Sequence, residues 1–273
     1  MSYVPAAPGA VAMEGAHVAL ADEPAGGDEV YLGRYGGVDY VASTAEPDAP
    51  TLVHLRTALR ELEERLAGAE APDRDDALAH RELAVTAVAM VTWHSRNQFC
   101  GGCGARTDSQ QLGWSRRCPS CGTEHYPRTD PAVIVAITDV DDRLLLAHVS
   151  YHSPRRYSHL AGYVEPGESL EQAAHREVFE EAQLTLSSLE HVGSQPWPFP
   201  ASVMVAFRAV AADTEIQVDG EEVTDARWFT RPQLAAAVAD GTVLLAPPGS
   251  IASRLIHDWY GDALPGADDV ASA

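Results

Sequence analysis

Apolar residues at helical spacing mark the first third of the chain. The leucines that recur three or four residues apart are Leu52, Leu55, Leu59, Leu62 and Leu66. This spacing predicts an amphipathic helix over residues 51–67, and an Ala-rich stretch predicts a second helix over residues 76–93. Residues 68–75 between them are small, acidic or turn-forming, which is typical of a linker. Short apolar runs near residues 30–35 and 38–43 predict two strands.

The rest of the chain alternates between strand and helix patterns. Short apolar runs predict strands over residues 132–137, 144–149, 203–210 and 223–229. Helix-start signals predict helices over residues 169–182, 232–239 and 251–260, with Thr230 and Ser250 as caps of the last two. Residues 261–273 are expected to fray. This mixture of strands and helices predicts an α+β or α/β sandwich.

Length and charge narrow the classes of partner. The chain has 273 residues, which suggests two domains, and a formal net charge of −21. Broad, non-specific binding to nucleic acid or to anionic membranes requires a basic surface, so this charge disfavours both. No stretch approaches the ~20 apolar residues of a membrane helix, and the N-terminus has no basic region before an apolar run. We therefore expect a cytoplasmic protein without a membrane partner.

All four cysteines of the chain fall in one window. Cys100 and Cys103 form one C-x-x-C pair, Cys118 and Cys121 form a second pair fourteen residues later, and a glycine follows each pair. Two such turns can bring four thiolates together around one tetrahedral Zn²⁺. The alternatives are two disulfides, which a cytosolic setting disfavours, or a redox pair, which does not require two matched motifs. Because four cysteines leave no coordination position for water, the sequence predicts one structural zinc ion.

A short acidic helix carries the most informative pattern. Ser169 and Gln172 match a capping box, which predicts that the helix begins just after Ser169. On this helix Glu177, Glu180 and Glu181 lie within an arc of about 100°. Three carboxylates so close repel each other, and a hard divalent cation such as Mg²⁺ would relieve the repulsion. The alternative is a solvated acidic face, which is the usual meaning of a run of charges.

The surrounding residues resemble the box of the Nudix hydrolase family, G-x5-E-x7-R-E-U-x-E-E-x-G-U, in which U is aliphatic. Gly162 and Glu168 stand at the first two fixed positions, and the run Arg176-Glu177-Val178-Phe179-Glu180-Glu181 follows at the right spacing. Gln183 departs from the pattern, because the family has glycine there. A left-handed residue is expected at that position. Gln183 therefore either lowers the stability of the fold by about 1 kcal/mol or changes the path of the chain after the helix.

This resemblance implies a fold, a reaction and several residue roles. The implied fold is α+β, an α/β/α sandwich with a mixed β-sheet, in which the box forms a loop, a helix and a loop. The implied reaction is hydrolysis of a nucleoside diphosphate linked to another group. Glu177, Glu180 and Glu181 are then ligands of Mg²⁺ or Mn²⁺, and Glu168 supports the metal site. Arg176 orients a glutamate through a charged hydrogen bond.

A second resemblance points to the NADH pyrophosphatase branch of this family, whose members also hydrolyse NAD caps from RNA. Residues 194–202, Ser-Gln-Pro-Trp-Pro-Phe-Pro-Ala-Ser, are similar to the branch signature SQPWPFPxS, and a four-cysteine ribbon precedes the box there as it does here. The likeness covers about residues 93–260. The prolines predict a stiff loop without regular helix. In that loop Trp197 and Phe199 form either a base-stacking wall or a proline-braced part of the core.

The branch resemblance also implies further site residues. By this resemblance Glu222 occupies the position of a downstream acidic residue of the metal site and is a candidate general base. In the alternative register Glu221 occupies that position. Tyr163 occupies the position of an aromatic residue that stacks on the nicotinamide in the family. Tyr126 occupies the position of a second aromatic residue, which is supplied across a dimer interface. The other residues implied to line the substrate site are Gln195, Trp197, Phe199, Ser202 and Ala252. Arg155, Arg156 and His159 either contact phosphate or are ordinary exposed charges.

Together these features predict three segments and one reaction. We expect a smaller α/β N-terminal domain for packing or dimerisation over residues 1–95, a zinc ribbon over 96–127 and a Nudix domain over 128–265. The predicted reaction is metal-dependent hydrolysis of the pyrophosphate bond of NAD(H), giving nicotinamide mononucleotide and AMP, by a homodimer. NAD-capped RNA and ADP-ribose are the alternative substrates. A nucleotide sensor without catalysis is the alternative class of protein.

Overall fold

Clusters of buried hydrophobic residues organise the chain, which the computed structural model describes for residues 1–45, 47–49, 51–151 and 153–261. The chain divides into two units. Unit 1 comprises Met1–Thr129 and Pro196–Ser202, and unit 2 comprises Asp130–Gln195 and the chain from Val203 onward. The segments expected over 1–95 and 96–127 therefore fall in the same unit. The expected domain end at residue 265, and the expected fraying after Gly261, lie outside the described residues.

The secondary-structure elements are numbered here in chain order. The strands are β1 (Ser2–Val4), β2 (Ala6–Ala7), β3 (Ala10–Ala12), β4 (Glu29–Tyr35), β5 (Val38–Ser43), β6 (Leu52–His54), β7 (Asp108–Gln110), β8 (Ser115–Arg117), β9 (Glu124–His125), β10 (Asp130–Thr138), β11 (Leu144–Val149), β12 (Leu160–Tyr163), β13 (Leu186–Trp197), β14 (Ser202–Ala211) and β15 (Val223–Phe229). The helices are α1 (Leu55–Gly68), α2 (Asp73–Arg96), α3 (Leu170–Ala182), α4 (Arg231–Ala239) and α5 (Ile251–Tyr260).

Unit 1 combines three small sheets with two helices. The sheets have the strand orders β1-β5-β4, β2-β3-β6 and β7-β8-β9. Helix α1 buries Leu55, Leu59 and Leu62 in a shared cluster with residues of α2, as the leucine spacing predicts for one face of a helix. Strands β1, β2 and β3, which no pattern in the sequence indicates, complete this core with small buried residues such as Ala6.

Two helix boundaries in unit 1 were predicted wrongly. The helix predicted from residue 51 begins at Leu55, because residues 52–54 form β6 and pair with β3. His54 then caps α1 by accepting a hydrogen bond from the Arg56 backbone N–H at 3.2 Å. The second helix begins at Asp73, so part of the predicted linker is helical. Its first turn carries Asp73, Asp75 and Asp76, and negative charge there stabilises a helix through its dipole.

A buried arginine joins the ribbon strands to the rest of unit 1. Arg116 on β8 is 5% exposed and donates hydrogen bonds to the Thr107 side chain at 2.8 Å and to Asp28 at 3.0 Å. Its Nη1 also donates to Nδ1 of the buried His94 on α2 at 2.7 Å, and the other ring nitrogen of His94 donates to the Gly113 carbonyl at 2.8 Å. These charge-assisted bonds explain physically why the ribbon and the preceding segment form one unit.

Unit 2 is a six-stranded sheet with helices on both faces. The strand order is β13-β14-β10-β11-β15, and β12 also pairs with β10. Alternate residues of β10 point to opposite faces. Val133 and Val135 pack in a cluster with α3, whereas Ile134 packs in a cluster with α4 and α5. This is the three-layered α/β/α arrangement that the Nudix resemblance implies.

The stiff loop predicted over residues 194–202 is shorter than expected. Strand β13 continues to Trp197, and β14 begins at Ser202, so the turn covers only residues 198–201. The prediction was wrong for residues 194–197 because β13 lies at the edge of the sheet, where a strand tolerates the missing N–H of Pro196. In the described part of the chain, no helix has the length and apolar character required to cross a lipid bilayer.

Candidate active site

Helix α3 begins at its predicted cap, Ser169, and ends at Gln183. The Ser169 side chain accepts from the Gln172 backbone N–H at 3.2 Å, and the Gln172 side chain accepts from the Ser169 N–H at 2.8 Å, which completes the predicted capping box. Gln183 adopts the left-handed conformation, with φ 55°, and its N–H donates to the Phe179 carbonyl at 2.8 Å. The helix therefore ends in the usual left-handed way without the family glycine, at a backbone cost of about 1 kcal/mol.

Gly162 of β12 provides the space in which the Glu177 carboxyl group lies. Strand β12 is antiparallel to β10, with Gly162 opposite Val133. A Cβ atom on Gly162 would lie only 2.0 Å from Glu177 Cδ and 2.1 Å from its Oε1. Any other residue at this position would therefore displace the carboxylate. The glycine at the start of the box is required by this close approach and not by its backbone conformation.

Arg176 is the centre of a network of carboxylates. Its Nε and Nη2 donate to the two oxygens of Glu168 at 2.6 and 2.9 Å, which is the bidentate geometry of a strong ion pair. Its Nη1 donates to Glu177 and to Glu180, both at 2.9 Å, and Nη2 also donates to the Tyr163 carbonyl at 2.8 Å. Arg176 thus fixes two of the three helix glutamates and joins α3 to the end of β12.

Glu181 is a buried carboxyl group with an unsatisfied oxygen. The residue is 4% exposed, and its Oε2 has no hydrogen-bond partner among the described residues. Burial, and after it the negative charges of Glu177 and Glu222, raise the pKa of Glu181 to about 8. Burial also raises the pKa of Glu177, against the opposing effect of Arg176. A buried carboxylate among like charges is stable only with a partner, and a bound cation is the partner that its chemistry fits.

Glu222, on the loop before β15, is the downstream acid that faces these glutamates. Its charge raises the pKa of both Glu177 and Glu181. The Ser150 N–H donates to the Glu222 carbonyl at 2.8 Å, and the Asp219 side chain accepts from the Glu222 N–H at 3.4 Å. The effect of its charge on both of these carboxyl groups favours Glu222 over Glu221 in the ambiguous register. Together with Glu177, Glu180 and Glu181 it gives an all-oxygen donor set, which suits Mg²⁺ or Mn²⁺.

The carboxylates of these glutamates lie near one another, but their oxygens are not close enough together to be ligands of one ion. In the described part of the chain, the four cysteines are the only group of three or more His, Cys, Asp or Glu residues whose ligand atoms all lie within 4.8 Å of one another. Like charges repel in the absence of a counter-ion. Arg176 also holds Glu177 and Glu180 at its own nitrogens. The charge of a divalent ion would offset this repulsion.

The four cysteines of unit 1 form a compact tetrad. The sulfurs of Cys100 and Cys121 lie 3.7 Å apart, and those of Cys103 and Cys118 lie 3.4 Å apart. A tetrahedral zinc with bonds of about 2.3 Å requires sulfurs about 3.8 Å apart, so the cluster fits this ion. After each pair a glycine in the left-handed region turns the chain, Gly104 with φ 74° and Gly122 with φ 76°. A four-cysteine site holds zinc without an open position and is therefore structural.

Trp197 and Phe199 pack in unit 1 with residues of α1. Their rings meet edge to face with centroids 4.9 Å apart, and both border the hydrophobic core of that unit. The Arg56 guanidinium lies 5.4 Å from the Trp197 ring and 4.8 Å from the Phe199 ring, and His54 stacks on Phe199 at 5.3 Å. These protein contacts of Phe199 agree with the braced-core alternative for this ring.

The other residues implied to bind substrate lie in different settings. Gln195 is buried, and its amide donates to the Gly249 carbonyl and accepts from the Ile251 N–H, both at 2.7 Å. It holds the start of α5, on which the buried Ala252 lies. Ser202 is buried at the start of β14. Tyr126, which belongs to unit 1, is 56% exposed and donates to Glu124, and Tyr163 of unit 2 is 54% exposed.

The three basic residues before the box differ in exposure and in hydrogen-bond partners. Arg155 donates to the Gly241 carbonyl at 2.7 Å, and Arg156 to the Leu245 carbonyl at 3.4 Å. His159 is 5% exposed, and burial lowers its pKa to about 4. A neutral buried imidazole is a poor phosphate ligand, so neither the phosphate interpretation nor the exposed-charge interpretation describes His159.

Comparison with known proteins decides the family. The NUDIX domain matches residues 128–246, and the NADH pyrophosphatase zinc ribbon domain matches residues 95–126. The NAD-capped RNA hydrolase NudC of Mycobacterium bovis BCG Pasteur is 38% identical over 262 residues, which covers 90% of this chain and 79% of that protein. The chain belongs to the Nudix hydrolase family.

Other members of the family show the same relationship. The NudC protein of Mycobacterium tuberculosis H37Rv is also 38% identical over 262 residues, with the same coverage of 90% and 79%. The human NAD-capped RNA hydrolase NUDT12 is 39% identical over 196 residues, 67% of this chain and 42% of that longer protein. As a Nudix hydrolase with a zinc ribbon, the chain has the fold class and the type of enzyme that its box and its cysteine pairs predicted.

One residue of this Nudix site had no signal in the sequence. Tyr151 follows β11 in an irregular segment, is 69% exposed, and its hydroxyl donates to Glu222 Oε1 at 3.5 Å. It belongs neither to the box nor to the downstream signature, and a lone tyrosine in a polar loop has no characteristic spacing. The contact becomes visible only once the pairing of β11 with β15 brings the two segments together.

Proposed function

We propose that this Nudix hydrolase cleaves the pyrophosphate bond of NAD(H), giving nicotinamide mononucleotide and AMP, and that it depends on Mg²⁺ or Mn²⁺. The observation that carries the proposal is Glu181, a buried carboxyl group with an unsatisfied oxygen among the like charges of Glu177 and Glu222. The ribbon of the NADH pyrophosphatase type and relatives named for NAD-capped RNA support the choice of a NAD-containing substrate.

The residues that would hold the ion are Glu177, Glu180, Glu181 and Glu222. A bound divalent ion neutralises phosphate charge and lowers the pKa of a coordinated water. Arg176 keeps Glu177 and Glu180 on the same side of α3 through its bonds of 2.9 Å. Glu168 in turn fixes Arg176 and accepts from the Glu165 N–H at 2.9 Å, which holds the loop before the helix.

In the hydrolysis itself, a water oxygen forms a bond to one phosphorus and the bond from that phosphorus to the bridging oxygen breaks. The water gives a proton to a carboxylate, and Glu222 is our candidate for this general base. Glu222 lies on a loop that Asp219 braces through the backbone N–H groups of residues 221–223, at 2.9–3.4 Å. The bridging oxygen leaves on the second phosphate, so that each product carries one phosphate group.

NAD-capped RNA is a second candidate substrate. The names of the related proteins favour it, since NudC and NUDT12 are both called NAD-capped RNA hydrolases. The cleaved bond would be the same, because the cap carries the same pyrophosphate. We also propose that the protein acts as a homodimer in which the exposed Tyr126 of one chain serves the site of the other.

The direct test compares NADH, ADP-ribose and NAD-capped RNA at equal concentrations, with Mg²⁺ or with Mn²⁺, and separates the products by chromatography. We expect AMP and reduced nicotinamide mononucleotide from NADH. Glu180→Gln is expected to lower turnover by orders of magnitude, with the zinc content and the melting temperature unchanged. Near-normal turnover of purified Glu180→Gln would refute the metal assignment. Ligand binding without turnover by the wild-type protein would indicate a nucleotide sensor instead.

A further inference from the structure

A cavity of about 370 Å³ lies in unit 1 and is lined by none of the residues assigned to the active site. Its lining comes from β1 and β2, from β3, from residues 19–25, and from the end of β5 with the chain after it. Cavities of about 300–1,000 Å³ are typical of small-molecule sites in proteins. This cavity is therefore large enough to hold a small organic molecule.

Backbone hydrogen bonds hold walls of this cavity in place. Tyr3 and Ala21 exchange two such bonds of 2.9 Å each, which joins β1 to the segment of residues 19–25. The Ala19 N–H donates to the Ala12 carbonyl at 2.9 Å and joins the same segment to β3. Since these bonds belong to the fold, the cavity is preformed, as small-molecule sites usually are.

The buried part of the lining is aliphatic except for one hydroxyl group. Val4, Ala6 and Ala12 are each 1% exposed and line the cavity. Ser43 lines it too and is 6% exposed, and its Oγ has no hydrogen-bond partner among the described residues. A buried hydroxyl without a partner destabilises a fold. A hydrogen-bonding group on a bound molecule would supply the missing partner.

The charged residues of the lining are acidic. Glu23 and Asp48 are exposed lining residues, and among the described residues that line the cavity there is no Lys, Arg or His. A phosphate or carboxylate group would meet like charge here, whereas an ammonium group would be attracted. The chemistry of this cavity is therefore unlike that of a nucleotide site.

We propose that this cavity is a second ligand site, which binds a small aliphatic amine with a hydrogen-bonding group at its other end. The aliphatic body packs against the buried alanines and Val4. The ammonium group lies toward Glu23 and Asp48, and the inner polar group forms a hydrogen bond with the Ser43 hydroxyl. This inference does not depend on the proposed function, because the site shares no residue with the machinery for hydrolysis.

The test titrates the full-length protein with four probes that share a cyclohexane ring. Aminocyclohexanol carries an amine and a hydroxyl at opposite ends of the ring, cyclohexylamine lacks the hydroxyl, cyclohexanediol lacks the charge, and hydroxycyclohexanecarboxylate reverses it. Binding is followed by the NMR signals of the alanine methyl groups, which include Ala6 and Ala12 of the lining. We expect aminocyclohexanol to shift these two signals with a Kd on the order of 1 mM. Cyclohexylamine and cyclohexanediol should bind roughly two- to tenfold more weakly, and the carboxylate more weakly still.

Two sets of variants test the roles of the polar residues. Ser43→Ala should weaken binding of aminocyclohexanol roughly two- to tenfold and leave binding of cyclohexylamine unchanged. Its melting temperature should not fall, because the hydroxyl that it loses has no partner in the described fold. The double variant Glu23→Gln, Asp48→Asn should lose the preference for aminocyclohexanol over cyclohexanediol. Glu14→Gln changes an exposed acid of unit 1 outside the lining, and this matched control should keep the preference.

Three results would overturn the proposal. The first is the absence of a shift at Ala6 and Ala12 with aminocyclohexanol at ten times the expected Kd. The second is equal affinity for aminocyclohexanol and the carboxylate. The third is a Ser43→Ala protein that melts at a lower temperature and binds aminocyclohexanol as tightly as the wild type, because the hydroxyl would then serve the fold alone.

Discussion

One added methyl group, Gly162→Ala, is expected to disable the site and leave the fold intact. A Cβ atom at Gly162 would lie 2.0 Å from Glu177 Cδ, whereas ordinary contacts of a Cβ begin at 3.4 Å. The Glu177 carboxyl group must therefore move by at least about 1.4 Å, and it loses its 2.9 Å bond from Arg176. Misplacement of a catalytic group by about 1 Å costs roughly 100-fold in rate. We expect a loss of about that size in kcat/KM.

The fold should survive because the atom that must move is the end of a flexible side chain. Gly162 lies in β12 outside the left-handed region, so alanine meets no backbone strain there. The assay measures kcat/KM for NADH with saturating Mg²⁺ together with the melting temperature. Gly101→Ala is the matched control, because a Cβ at Gly101 meets nothing within 4 Å and its backbone is also outside that region. Activity of Gly162→Ala within threefold of wild type, at an unchanged melting temperature, would refute this reasoning.

Three further changes test other parts of the account. Arg176→Lys keeps the charge but loses the paired bonds to Glu168, so kcat should fall roughly 10- to 100-fold; an unchanged kcat would show that the guanidinium does not orient the site. His159 is buried and its pKa is lowered from 6.5 to about 4, so the unfolded chain binds more protons between these values and stability falls as the pH drops below 6.5. His159→Leu should remove about 2 kcal/mol of the loss between pH 7 and pH 5 in urea unfolding, and an equal loss in both proteins would contradict this. Cys118→Ser should release zinc, measured by atomic absorption, and lower the melting temperature, whereas full zinc retention would contradict the four-cysteine site.

The sequence predicted the elements whose signals are local. The capping box of Ser169 and Gln172, the cap residue Thr230 and the apolar run of β10 each act through neighbours in the chain, and the structure has them where the sequence places them. The spacing of the four cysteines along the chain likewise predicts that they meet in one cluster. The conformation of Gln183 was left open, because a left-handed glutamine and a different helix exit differ by only about 1 kcal/mol.

The parts of the structure that the sequence did not predict depend on contacts between residues that are far apart in the chain. Strands β1, β2 and β3 are only two or three residues long, which is too short for a period-two pattern to stand out. Pro196 suggested a loop, and its place in a strand is understandable only from the edge position of β13. Tyr151 and Glu222 meet because β11 pairs with β15, across about seventy residues of chain. From the sequence alone Arg116 would be expected on the surface, because its partners Asp28 and His94 are known only from the structure.

The central claim is that a divalent cation is bound by the glutamates of α3 together with Glu222. Titration of the protein with Mn²⁺, followed by the electron paramagnetic resonance signal of the free ion, tests it directly. We predict that the wild-type protein takes up Mn²⁺ and that Glu181→Gln weakens the binding at least tenfold, whereas Glu221→Gln, a change at the adjacent acid outside the cluster, binds as tightly as the wild type. Equal uptake by the wild-type and Glu181→Gln proteins would contradict the account.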